Sequence, residues 1–274
     1  MVEYAKRKQV VAFKSALRRQ VNRAVRSFLP HPGRGLRCLL YHAITAEECR
    51  DPGQENTPIE LFERQMVLLA EEGFRVISCA ELVSRVRAGD PLPAKTVSIS
   101  FDDGKASVRE WALPVLRRHG FPATLFSMAE MQGGPYLTWE QAREMRAGGL
   151  VEFGCHGATH RRLSGLSEAE RMRETLQAKE RMEKALGFRV SLFAYPYGSY
   201  GTWDPPTLRA LREAGFEGAF TSVFGLNTPR TDPYLLRRVR VSWFDSIPQF
   251  RSMLQGAGDW YAWVQRAQGA FGAA

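Results

Sequence analysis

Cysteine is sparse and scattered in this chain of 274 residues: Cys38, Cys49, Cys79 and Cys155 show no CxxC spacing. Isolated thiols in so long a chain argue against a disulfide framework and are compatible with a reducing compartment. No internal repeat or low-complexity tract is visible, which removes solenoid and fibrous architectures. No apolar run is long enough to span a bilayer or to form the core of a signal peptide, and the expectation drawn from that absence is a cytoplasmic protein. Histidine numbers only five, and none follows His160.

What is present is enough apolar residue, 44% of the chain, to bury a sizeable core. The formal charge of +9 is concentrated: residues 1–37 hold ten of the 38 Lys/Arg and one of the 29 acids, leaving the remainder neutral. Over residues 4–29, Val10, Phe13, Leu17, Val21, Ala24 and Phe28 recur at steps of three and four with Lys and Arg opposite. That spacing predicts an amphipathic helix, ended by Pro30 and Pro32. It reads either as peripheral contact with an anionic membrane, at its inner face, or as a helix packed on the domain with its basic side solvated. Nucleic acid is not expected, because no aromatic interleaving accompanies the charge. Residues 1–35 are therefore taken as a helix and linker, and 36–274 as the main folded domain.

Beyond residue 36 apolar strands and amphipathic helices alternate. Strands are predicted near 36–42, 74–78, 97–101, 123–128, 150–155, 190–194, 218–222 and 238–242. Helices are predicted over 58–72, 80–87, 108–119, 138–147, 167–186 and 206–214, with a polar loop from His42 to about Thr57. Strands separated by helices imply parallel βαβ units, and about seven of them favour a closed or nearly closed barrel.

Polar chemistry collects at the predicted strand ends, the face on which α/β barrels carry their sites. Val97, Ile99 and Phe101 alternate with Thr96, Ser98 and Ser100 and then stop in Asp102-Asp103-Gly104. Taken alone, such a triplet is also an ordinary turn. His42 follows the first strand, Pro196-Tyr197-Gly198 another. His156 and His160, four residues apart, follow a third and with a carboxylate make a two-histidine, one-acid set able to hold a metal.

SFDDG, GCHGATH and FAYPYG, in this order, resemble the polysaccharide deacetylase family of carbohydrate esterases (family four). LLYHAI, FERQMVLLAEEGFRVIS and YLTWEQAREMRAGGLVEFG resemble its branch with a histidine motif near the start of the domain. The resemblance implies a distorted parallel (β/α) barrel, here of about seven strands behind an N-terminal amphipathic helix. It also implies metal-dependent removal of an N-acetyl or O-acetyl group from a sugar. Asp103, His156 and His160 would hold a divalent cation, zinc by default, and Asp102 would be the general base. His42 would protonate the leaving amine, and the backbone N–H of Tyr197, after Pro196, would support the oxyanion. Trp139, Trp203 and Trp243 are candidates to stack on sugar rings, with packing or rim positions as the competing reading.

Three departures from the family pattern matter. Gly157 stands where a Ser or Thr usually braces the histidine loop. Ala194 stands where an arginine usually orients the catalytic acid, and Arg238 is the candidate substitute. The C-terminal leucine-x-histidine motif is missing, which leaves His42 as the acid. The expected function is hydrolytic deacetylation of an N-acetylated sugar, polymeric, lipid-linked or nucleotide-linked. The alternatives are cleavage of another non-peptide C–N bond on the same site, or a catalytically weakened carbohydrate-binding protein.

Overall fold

Strand β5 (Thr96–Phe101) is buried at every position, although half of its residues are Ser or Thr. In a strand, alternate side chains face opposite sides, so both faces of β5 must be covered. Val97, Ile99 and Phe101 join a large cluster shared with the surrounding helices. A smaller cluster fills the barrel interior with Cys38, Phe126, Leu192, Ala194 and Phe220. Ser98 and Ser100 face that interior and leave room for a polar group there.

The structure, a computed structural model, describes residues 35–46, 56–243 and 245–271. The helix expected over residues 4–29 lies outside the described residues, as does most of the loop before Thr57. Ten strands are described: β1 (Arg37–Tyr41), β2 (Ala43–Thr45), β3 (Asn56–Pro58), β4 (Arg75–Ile77), β5, β6 (Ala123–Ser127), β7 (Val151–Cys155), β8 (Leu192–Ala194), β9 (Gly218–Phe220) and β10 (Arg238–Arg240). Seven form the parallel sheet β10-β1-β5-β6-β7-β8-β9. Its ends meet: Leu236, just ahead of β10, bridges Phe220 of β9, with Thr221 N–H to Leu236 O at 2.7 Å. The ring is distorted at β5, one edge of which pairs with β1 while the other is shared between β4 at its start and β6 at its end. The expected nearly closed, distorted barrel of seven strands is what the chain forms.

The helices are α1 (Ile59–Glu71), α2 (Cys79–Ala88), α3 (Leu113–His119), α4 (Trp139–Ala147), α5 (Glu168–Met172), α6 (Ala178–Leu186), α7 (Pro205–Glu213), α8 (Ile247–Leu254) and α9 (Tyr261–Phe271). α2 turns Leu82, Val83 and Val86 into the interior cluster and plugs the barrel. The single helix expected over 167–186 is interrupted by a π turn, Arg173–Gln177, which brings Glu174 and Thr175 inside. Such wider turns recur at functional sites.

Two features escape the sequence reading. β2 and β3 pair in a two-stranded parallel sheet of three-residue strands, too short to show a period. α8 and α9 lie beyond the last predicted strand, although Ser246 and Gln249 form a capping box that marks the start of α8. The last strand ends at Arg240 rather than at residue 242.

Candidate active site

β5 delivers both acids to the C-terminal rim of the barrel. The Asp102 N–H continues the ladder to Tyr41 O at 3.0 Å. Asp103 then turns into the left-handed region, with φ of 70°. A Cβ on Gly104 would lie 2.6 Å from Ser127 Oγ, so the turn requires glycine. The two carboxylates consequently point different ways.

Asp102 is buried, and Arg238 holds it with two parallel bonds, Nη1 to Oδ1 at 2.7 Å and Nη2 to Oδ2 at 2.8 Å. Arg238 itself is 0% exposed, donates through Nε to Thr221 O at 2.8 Å, and meets Ser100 Oγ at 3.3 Å. It is the polar group for which Ser100 makes room. Burial alone would raise the Asp102 carboxyl, but the Arg238 charge and bonds, with His156 and His42 nearby, bring it down to about 2. The carboxylate is ionised throughout the neutral range.

Asp103, His156 and His160 meet beside it, with one ligand atom from each lying within 4.8 Å of the others. Asp103 Oδ1 is 3.7 Å from His156 Nε2 and 3.5 Å from His160 Nε2. His156 Nδ1 lies 2.8 Å from the Ala194 carbonyl, a bond the ring can make only by donating. Nε2 is thereby left with its lone pair toward the cluster. Burial holds the His156 imidazole below its ordinary range against the pull of Asp102 and Asp103, and His160 adds to the lowering. A neutral imidazole with its tautomer set inward, a second imidazole and a carboxylate form a donor set that fits a divalent cation such as zinc. Asp103, His160 and Tyr197 are three of the four non-glycine residues at positive φ among those described. Backbone strain thus collects at this site.

Tyr197 is 57% exposed, with its ring edge-on to His160 at 4.8 Å. Ser222 Oγ donates to Tyr197 O at 2.6 Å, and the Ser222 N–H to Gly198 O at 2.8 Å, so both hold the turn. The Tyr197 amide N–H meets no acceptor among the described residues. Pro196 is buried beneath the turn. His42, at the end of β1, lines the same cavity of about 970 Å³, together with both acids and both histidines of the cluster. Trp139 and Trp243 are not brought to it. Trp139 opens α4 and packs against the outer core, as does Trp203.

Sequence reasoning missed four participants. Lys105 Nζ sits 3.5 Å from Asp103 Oδ2 and 4.4 Å over the Tyr136 ring. Ser222 and Arg240 line the cavity. Glu174, 1% exposed, reaches under the histidine loop from the π turn. Its signal was in the sequence: Glu174, Ala178, Met182 and Leu186 follow one another at steps of four, and the last three are core residues. A charged residue in an apolar stripe is expected to have a buried partner.

A profile described as polysaccharide deacetylase matches residues 89–219. YxkH of Bacillus subtilis (strain 168), whose name places it among the polysaccharide deacetylases, is 30% identical over 207 residues, 74% of this chain and 70% of its own. The poly-beta-1,6-N-acetyl-D-glucosamine N-deacetylase of Escherichia coli (strain K12) is 23% identical, and the match spans 82% of this chain but only 39% of that protein. Among solved structures, IcaB from Ammonifex degensii superposes with a TM-score of 0.70 at 30% identity, over 83% of this chain and all of that one.

Proposed function

Because the chain belongs to the polysaccharide deacetylase family, we propose that it is a metal-dependent hydrolase that removes the acetyl group from an N-acetylated sugar. The observation that carries this reading is the pairing of an ionised, buried Asp102 with the Asp103, His156 and His160 cluster on the floor of one open cavity. The name of the Escherichia coli relative supports a polymer of N-acetylglucosamine as the first substrate to try.

A divalent cation held by Asp103, His156 and His160 would polarise the acyl carbonyl and lower the pKa of a water from roughly 15.7 toward roughly 7, as so weak a base as Asp102 requires. Asp102 then accepts the proton of the attacking water. The Arg238 guanidinium fixes its orientation, leaving Oδ2 3.9 Å from His156 Nε2 and so directed at the cluster. The Tyr197 N–H donates to the oxygen on which negative charge develops. His42, which lines the same cavity, protonates the leaving amine, a task suited to imidazole near neutral pH. Asn56, Ser107, Glu110, Ser199 and Arg240 line the cavity with groups able to bond sugar hydroxyls.

The grounds for a weakened binding protein were Ala194 and Gly157. Arg238 places a guanidinium on Asp102, and Glu174 braces the loop that Gly157 enters, which favours an enzyme. The deciding experiment measures metal content and acetate release from N-acetylglucosamine oligomers, with formylated and cyclic amides as comparison substrates. Acetate release that stops on chelation and returns with added zinc is expected. Stoichiometric metal with no acetate from any acetylated sugar would sink the proposal.

A further inference from the structure

The loop from His156 to His160 has an unusual support. Oε2 of Glu174 accepts from the Ala158 N–H at 2.8 Å and the Thr159 N–H at 3.1 Å, while Oε1 accepts from Thr159 Oγ1 at 2.5 Å. One buried carboxylate therefore gathers every donor offered by the two residues midway between the histidines. The backbone there is sharply bent: Gly157 has φ of 78° and His160 has φ of 63°. The two rings end 5.0 Å apart, edge to face. A Cβ on Gly157 would lie 2.8 Å from Glu174 Oε2, so the glycine and the carboxylate occupy adjoining space that a larger residue at 157 would contest.

We infer that Glu174 is the positioning residue of the metal centre, setting the separation of His156 and His160 by clamping Ala158 and Thr159 from the π turn. The inference rests on the metal-binding reading above. Without the clamp, two backbone N–H groups and a hydroxyl in a largely buried loop lose their acceptor, and the loop relaxes to satisfy them elsewhere. His160 lies one residue beyond Thr159 and moves with it. His156 is held independently, by its N–H to Ser127 O at 2.8 Å and by Ala194 O, so the loss falls on the geometry between the rings. Groups that orient a ligand from behind commonly change metal affinity about 10- to 100-fold when removed.

The test is zinc affinity of purified, metal-stripped protein, measured by competition with a chromogenic chelator, with circular dichroism to confirm the fold. Glu174→Ala should weaken zinc binding about 10- to 100-fold. Glu174→Gln should bring it back to within about three-fold, because one amide oxygen can accept both N–H groups while its NH₂ donates to the Thr159 hydroxyl. A folded Glu174→Ala protein that binds zinc as tightly as wild type overturns the inference. Should that variant not fold, Thr159→Val removes the shortest of the three contacts alone, and wild-type zinc affinity in it has the same consequence. If wild-type protein itself takes up no zinc, it is the metal-binding reading that falls, a result distinct from failure of the clamp.

Discussion

The guanidinium of Arg238 and the carboxylate of Asp102 meet edge to edge inside the barrel, joined across 136 residues of chain. Both are buried, Asp102 keeping only a small face on the cavity, so each needs the other: breaking a buried pair by removing one partner typically costs about 3–5 kcal/mol. Arg238→Ala is therefore expected to lower the unfolding free energy by about that amount and to depress acetate release. Lysine offers a single point of contact in place of the fork, so Arg238→Lys should recover little. Undiminished turnover in a folded Arg238→Ala protein would remove Arg238 from the proposed mechanism.

The same pair makes stability acid-sensitive. The Asp102 carboxyl sits at about 2 in the folded protein, below its ordinary value of 3.8. A depressed pKa adds stability that is complete above the unfolded value and is lost as pH falls through the folded one. In metal-free protein, urea unfolding at pH 6, 4 and 3 should show the stability gap between wild type and Asp102→Asn narrowing, by about 1 kcal/mol at pH 3. A gap that stays constant from pH 6 to 3 would mean that Asp102 is not held ionised by its surroundings.

His42 lines the cavity but does not belong to the Asp103, His156 and His160 cluster. His42→Ala should leave bound zinc stoichiometric while lowering kcat about 10²- to 10⁴-fold, the usual range for a lost general acid. Full activity with metal in place would reassign the proton donor.

Zinc should also stabilise the fold by mass action, by about 2.7 kcal/mol at a hundred times its Kd. Thermal melts with and without zinc read this directly. Asp103→Asn, His156→Ala and His160→Ala should each abolish the upward shift, and a shift retained by all three would place the cation elsewhere.

Gly157 offers a sharper test, since the resemblance in sequence leads one to expect Ser or Thr there. In this chain the position is left-handed and faces Glu174. Gly157→Ser should therefore destabilise by about 1–2 kcal/mol from backbone conformation alone, and weaken zinc binding besides. A melting temperature and zinc affinity equal to wild type would show that the loop tolerates the family residue.

Much of this architecture was legible from alternation and strand-end chemistry. The β5 period announced a strand, its two acids a rim, and the spacing of His156 and His160 two imidazoles that meet beside Asp103. Arg238 was reachable only by asking what replaces the arginine missing at Ala194, because three arginines within four residues look alike in sequence. Glu174 was hidden for another reason. A glutamate in a long, charged helix resembles every solvated one around it until its place in the Ala178, Met182 and Leu186 stripe is noticed. β2 and β3 offered no period at all, since a parallel pair of three-residue strands is stabilised by its partner and by packing on α1 rather than by its own pattern. The tryptophans had two explanations in the sequence, sugar stacking or packing, and Trp139 and Trp203 pack against the core.

Arg238 does more than hold Asp102. It begins β10, the strand that pairs with β1 and completes the sheet, and its Nε bonds to Thr221 O just past β9. Contacts so distant in sequence are slow to form. A chain emerging from the ribosome exposes Asp102 long before the residue that pairs with it and aims it has been made. The proposed base is therefore oriented by the same event that shuts the ring, and a chain stopped anywhere before β10 is a stack of strands around a carboxylate with nothing to point it.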